Sequence, residues 1–248
     1  MSLTLETPAQ ARPSYPAEAI DFIQTLVPQG AKVLDLAAGT GIMTALLVNK
    51  GLDVVAVEPV DEMRAKLSAD LPAARALKGT SWEIPVPDGS QEAVIVAQAF
   101  HWFDDIKSLR EIHRVLKPNG YLILIWNMES RSSPWVAKLR DVYELYDGNA
   151  PQYRKGKWKD VFEIPETAEL YRVPIQHQWF KNETLATKDK VMKRVFSKSY
   201  MAILPEETKK SVADKMETIL VPDNGFITND QGFVRYPHDT EVAYIQKI

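Results

Sequence analysis

Residues 33–41 read Val-Leu-Asp-Leu-Ala-Ala-Gly-Thr-Gly. The run from Ala31 to Ala37 has the apolar character of a buried strand, and a helical pattern follows from Gly41 to Lys50. Gly39 and Gly41 bracket the turn between them. Lacking a Cβ, they let a ligand approach the backbone, and the free amides of the helix start are available to it. A Gly-x-Gly pair alone equally describes an ordinary strand-to-helix turn. Three residues add to it. The third glycine of a dinucleotide fingerprint falls at position 44, which is Thr44, so pyrophosphate binding is disfavoured. Asp35 lies inside the strand, and a buried carboxylate needs a partner. Glu58 ends the next apolar run, Asp53 to Glu58, where its carboxylate can accept from both hydroxyls of a ribose.

Outward from this stretch, strands and helices alternate. A helix is expected over Ala17 to Val27, and another from Asp61 to about Ala69. Ala74 to Gly79, Ala93 to Ala99 and Tyr121 to Asn127 read as further strands, with a helix at Ile106 to Val115 that Lys117-Pro-Asn-Gly120 ends. This alternation implies a parallel sheet with helices on both faces. Beyond Asn127 it weakens. Helical patterns appear near Trp135–Tyr146, Lys188–Phe196 and Pro205–Leu220, and Leu170 to Phe180 and Glu241 to Ile248 read as two last strands. The segment between has the length of a lid. We expect a single domain over 1–248, with a core about 17–127 and the lid and last strands about 128–248.

Composition narrows the classes. A formal net charge of -3, with no basic stripe, disfavours nucleic acid and anionic membranes as partners. The absence of cysteine excludes disulfides, thiolate metal sites and a cysteine nucleophile. No stretch approaches the roughly 20 apolar residues of a membrane span, and residues 1–16 read as an irregular, proline-bearing arm without a signal-peptide core. The expected location is therefore cytoplasmic. His113 reads as surface, and His177 and His238 lack partners at metal-ligand spacing, so no metal is expected. Oligomeric state is not legible.

A nucleoside carrying an ammonium and no phosphate suits Thr44, Asp35 and Glu58 together, and S-adenosylmethionine is such a molecule. At this point the chain resembles class I S-adenosylmethionine-dependent methyltransferases. The resemblance rests on residues 33–41, on Glu58-Pro59, on Gly79-Thr-Ser-Trp-Glu-Ile-Pro85 with Pro87-Asp-Gly89, and on Glu111-Ile-His-Arg-Val-Leu-Lys-Pro-Asn-Gly120. Thr80 departs from the acidic residue common in the family. Arg12-Pro-Ser-Tyr-Pro16, Ala97-Gln-Ala-Phe-His-Trp-Phe103, Trp126-Asn127, Ser133-Pro-Trp135 and Ser197-Lys-Ser-Tyr-Met201 resemble a type 11-like, small-molecule branch of bacteria and fungi. The resemblance implies a doubly wound, mostly parallel seven-stranded sheet, Rossmann-like, with a helical lid in the C-terminal half. It implies cofactor contacts at Tyr15, Asp35, Ala37, Gly39, Thr40, Gly41, Glu58, Pro59, Met63, Thr80, Ser81, Gln98 and Ala99.

On the acceptor side, His101 follows the fourth strand, where it either removes the acceptor's proton as a base titrating near neutrality or shapes the loop. Trp102, Trp126, Asn127 and Tyr200 are candidate acceptor contacts, each with a plain packing or capping role as its alternative. The lid aromatics, including Trp135, Trp158 and Tyr200, are expected to enclose an apolar acceptor and keep water out. Methyl transfer asks mainly for alignment and water exclusion, so no catalytic dyad is required. The rivals are a non-catalytic S-adenosylmethionine-binding protein and a nicotinamide-dependent reductase. The acceptor atom (oxygen, sulfur, nitrogen or carboxylate) stays open.

Overall fold

A computed structural model describes residues 14–248. The N-terminal part of the expected arm, including Arg12 and Pro13, lies outside the described residues. The order is α1 (Ala17–Thr25), β1 (Lys32–Leu36), α2 (Ile42–Asn49), β2 (Asp53–Val57), α3 (Asp61–Asp70), β3 (Arg75–Leu77), β4 (Gln91–Ala97), α4 (Ile106–Val115), β5 (Leu116–Glu129), α5 (Pro134–Tyr143), α6 (Pro165–Leu170), β6 (Gln176–Ala186), α7 (Lys188–Phe196), α8 (Ser199–Ala202), α9 (Glu206–Ile219) and β7 (Val234–Gln246).

The seven strands form one mixed, mostly parallel sheet in the order β3-β2-β1-β4-β5-β7-β6. The pairs β3–β2, β2–β1, β1–β4 and β4–β5 are all parallel. The chain runs outward from β1 to β3, then returns to β4 on the other side of β1. The order therefore reverses between β1 and β4, and their carboxyl ends mark the crevice in which such sheets bind ligands.

The chain forms two compact units. The sheet unit comprises Tyr15–Trp126, Pro151–Phe180 and Thr240–Ile248. Alternate residues of its strands face opposite ways. Leu34, Leu36, Val55, Val57, Val94, Val96, Leu122 and Leu124 enter one core with the apolar face of α4. Val33, Val54, Ala93, Ile95, Ile123 and Ile125 enter the other with α1 and α2. Burial on both faces is why these strands read as continuous apolar runs. The helical unit takes in Ser14, Asn127–Ala150 and Lys181–Asp239. It has its own core, in which Trp135, Val136 and Leu139 of α5 pack with Val191, Val195, Val212 and Met216.

The last strands differ from expectation. Leu170 ends α6 rather than opening a strand, because Pro165 at its first turn starts a helix. β6 begins only at Gln176 and is largely exposed, so it lacks an apolar signature. β7 begins at Val234, ahead of the expected Glu241. Pro237, which has no amide to donate, interrupts the strand pattern there.

Candidate active site at the sheet's switch point

The exits of β1 and β4 both carry left-handed backbone at residues other than glycine. Ala37 has φ 59° and Gln98 has φ 61°. Such strain persists only where surrounding structure holds it, and it clusters at functional sites. Here the holding bonds are Ala38 N to Val57 O at 3.1 Å and Gln98 N to Ile125 O at 2.9 Å. Each ties a strand exit to its neighbour. Gly41 then starts α2 with φ 88°, and a Cβ there would sit 2.8 Å from Leu71 Cδ1. The left-handed φ strains any residue that has a Cβ and favours glycine there.

Glu58 is buried and links two strand ends. Its Oε2 accepts from Gly39 N at 2.8 Å and its Oε1 from Val60 N at 2.9 Å. Each carboxylate oxygen keeps a further lone pair for a ligand hydroxyl. Asp35 is fully buried. Its Oδ2 accepts from Thr44 Oγ1 at 2.6 Å, while Oδ1 has no partner among the described residues. Burial pushes its carboxyl up to about 7, against the Thr44 hydrogen bonds and reinforced by the charge of Glu58. Thr44 thus has a positive role where a dinucleotide site has glycine: it holds one oxygen of Asp35 and leaves the other bare.

Pro59 and Met63 flank the same exit, with Met63 exposed on the first turn of α3. Beyond β3, Gly79 packs so tightly that a Cβ would lie 2.5 Å from Pro85 Cδ and 3.0 Å from Glu83 O. Thr80 and Glu83 exchange backbone bonds of 3.2 and 3.3 Å, and Ser81 Oγ accepts from Ser108 Oγ at 3.0 Å. Sequence reasoning missed what pins this loop. Arg114 of α4 donates to Ile84 O at 2.8 Å and Val86 O at 3.0 Å, while Glu111 accepts from Ile84 N at 2.7 Å. Arg114 also pairs with Glu111 at 2.7 Å, which holds the Glu111 carboxyl below its ordinary value. The Glu-x-x-Arg spacing of residues 111–114 was the available signal, since it puts both side chains on one helix face.

His101 sits in a 3-10 turn, Phe100–Trp102, directly after β4 and Gln98-Ala99. Its Nδ1 is buried without a partner, and burial pushes its pKa down to about 4. Of the two roles read for it, a base titrating near neutrality and a group that shapes the loop, this desolvation favours the neutral imidazole. Trp102 is 53% exposed beside it, with ring centroids 5.5 Å apart. Trp126 is fully buried rather than open at the rim. It stacks on Tyr153 at 4.7 Å and lies 4.4 Å from Trp158. Tyr15 is buried against the core that includes Ile20 and Ile23 of α1.

Asn127 and Tyr200 belong to the helical unit. Asn127 is buried and donates from Nδ2 to Ser14 O at 3.0 Å, a carbonyl that Asn182 also binds at 2.7 Å. Tyr200 packs in the core of that unit with Trp135, whereas Trp158 is in the core of the sheet unit. His177 acquires a partner that sequence spacing did not suggest, Glu241 Oε1 at 2.6 Å. His113 is half-buried, edge-on to Tyr171 at 5.7 Å. Among the described residues no group of His, Asp and Glu is arranged to hold a metal ion, and no helix is long and apolar enough to cross a membrane.

The family described as Methyltransferase domain matches residues 34–124, from β1 to β5. An uncharacterized methyltransferase of Mycobacterium tuberculosis is 39% identical over 212 residues, covering 85% of this chain and 81% of that protein. An uncharacterized methyltransferase-like protein of Schizosaccharomyces pombe is 32% identical over 212 residues, covering 84% and 81%. Among solved structures, the YcgJ protein from Bacillus subtilis matches with a TM-score of 0.57 at 19% identity, covering 93% of this chain and 98% of that one. A Haemonchus contortus phosphoethanolamine N-methyltransferase, in complex with phosphomonomethylethanolamine and S-adenosylhomocysteine, matches with a TM-score of 0.55 at 15% identity, covering 93% and 52%. Its likeness is one of fold. With a relative of 39% identity spanning most of both chains, and with a Rossmann-like sheet, the chain belongs to the class I methyltransferase family.

Proposed function

We propose that this methyltransferase takes its methyl group from S-adenosylmethionine and transfers it to a small-molecule acceptor. The observation that carries the reading is the bare Oδ1 of Asp35, a buried carboxylate oxygen at the switch-point crevice that an ammonium group would satisfy. Glu58 offers its spare lone pairs to the ribose hydroxyls, and Gly39 to Gly41 gives close access to backbone. The loop from Gly79 to Ser81, braced by Glu111 and Arg114, flanks the adenine. Ala37, Thr40, Pro59, Met63, Thr80, Gln98 and Ala99 complete the cofactor's surroundings.

When bound, the cofactor supplies an electrophilic methyl on a sulfonium that leaves as a neutral thioether. The protein's task is therefore alignment and exclusion of water, which is worth several kcal/mol or more in well-oriented reactants. His101, neutral at pH 7, orients the acceptor by a hydrogen bond from its position after β4; a pKa of about 4 makes it a poor resting place for a proton. The structural neighbour with S-adenosylhomocysteine in its complex lends support to the same cofactor here.

The test is transfer of label. Incubated with methyl-labelled S-adenosylmethionine and a small-molecule extract, the protein should pass label to a low-molecular-mass product and release S-adenosylhomocysteine. Cofactor binding with no S-adenosylhomocysteine formed would favour a non-catalytic binder.

A further inference from the structure

A second polar centre is buried in the helical unit, and neither cofactor nor fold accounts for it. Glu129, at the end of β5, is buried. It faces two cations, Lys198 Nζ at 2.8 Å and Arg194 Nε at 3.4 Å. Tyr143 donates to its Oε2 at 3.1 Å, and Arg140 donates to its carbonyl at 2.7 Å. Arg140 is itself balanced by Glu144 at 2.7 Å, and Asp239 is taken by Lys181. That leaves Arg194 and Lys198 against one carboxylate, a surplus of one positive charge. Burial pushes the Glu129 carboxyl up, but the cations Lys198 and Arg194 outweigh it and hold it well below the ordinary range. It is therefore ionised and already counted.

The centre also holds polar atoms without partners. Arg194 Nε lies outside hydrogen-bond geometry to Glu129. The Tyr236 hydroxyl is buried with no partner, and so is His238 Nε2. His238 Nδ1 lies 3.0 Å from Tyr236 O, and a carbonyl can only accept. Nδ1 therefore carries the proton, and Nε2 presents a lone pair that needs a donor. Buried polar groups are almost always satisfied, and a buried charge surplus is costly without a counter-ion. Both deficits are met by one molecule. A carboxylate would neutralise the surplus and accept from Arg194 and Tyr236, and a hydroxyl on the same molecule would donate to His238. A dianionic phosphate would overcompensate the single charge. The side chains of Arg194 and Lys198 are 14% and 10% exposed, whereas Arg194 Nε, the Tyr236 hydroxyl and His238 Nε2 are buried, so a ligand reaches them by displacing the two cationic side chains.

We propose that Arg194, Lys198, Tyr236 and His238, arranged around Glu129, bind a small hydroxycarboxylate. This binding site does not rest on the function proposed above. The experiment is calorimetric titration of the full chain with three- to six-carbon hydroxycarboxylates, their deoxy counterparts and inorganic phosphate, with S-adenosylhomocysteine titrated separately. A hydroxycarboxylate should bind more tightly than its deoxy counterpart. R194K should weaken it at least tenfold and Y236F several-fold, each with S-adenosylhomocysteine affinity unchanged. Should R194K lose its melting transition, Y236F, which removes only a hydroxyl, carries the comparison. Binding by phosphate but no carboxylate, binding by nothing in the series, or affinity untouched by the substitutions would overturn the proposal. Carboxylate binding without S-adenosylhomocysteine binding would uphold the site and defeat the cofactor reading instead.

Discussion

A carboxyl group that is fully buried with one bare oxygen titrates late, and Asp35 does so at about 7. The sign of the consequence follows. The unfolded chain releases this proton near the ordinary 3.8, while the folded chain keeps it until about 7. Between those values the folded state binds more protons, so this group's contribution to stability falls as pH rises. Asp35→Asn should remove that slope and raise the ligand-free melting temperature at pH 7.5 relative to wild type. It should also weaken cofactor binding, because a neutral amide cannot pair with an ammonium. Melting scans at pH 5 and 7.5 together with calorimetry read both effects. Glu58→Ala should weaken binding of S-adenosylhomocysteine by roughly 1–3 kcal/mol, the cost of leaving polar groups unpaired. An unchanged affinity would move the ribose elsewhere. For His101, a pKa of about 4 predicts a turnover profile with no histidine limb between pH 6 and 8, and His101→Ala should chiefly raise the acceptor's KM. A limb near 6.5 that the substitution abolishes would restore the base.

Between α4 and the loop after β3, Arg114 and Glu111 act as a clamp on Ile84 and Val86, added to the backbone pair that Thr80 and Glu83 make within the loop. Arg114→Ala should leave the fold standing yet loosen residues 79–88, seen as faster amide exchange in that loop and weaker cofactor affinity, with β1 unaffected. Such a helix-to-loop clamp was only half legible: the helix face could be read from its spacing, its target could not. The strands of the parallel core were legible because burial on both faces makes them apolar throughout. β6 was not, since an exposed edge such as Gln176 to Trp179 has no reason to be apolar. Gly41 marks the other extreme. Its left-handed φ favours glycine, and position 41 was identifiable from the sequence as a turn residue.

Across the whole molecule, the sites differ in how far their residues stand apart along the chain. Asp35, Gly39, Gly41 and Glu58 fall within two consecutive strand exits, so local pattern and topology together bring them to one crevice. The Glu129 centre draws on residues 129, 194, 198, 236 and 238, which only tertiary packing assembles, and His238 therefore looked isolated. His177 found Glu241 in the same way. The central claim concerns the crevice, and calorimetry with S-adenosylhomocysteine, run in parallel with NADH, tests it most directly. The account predicts one site per chain for S-adenosylhomocysteine, none for NADH, and at 100 times the dissociation constant a gain of about 2.7 kcal/mol in stability, or about 5–10 °C in Tm. Binding of NADH with no heat and no Tm shift from S-adenosylhomocysteine would contradict it.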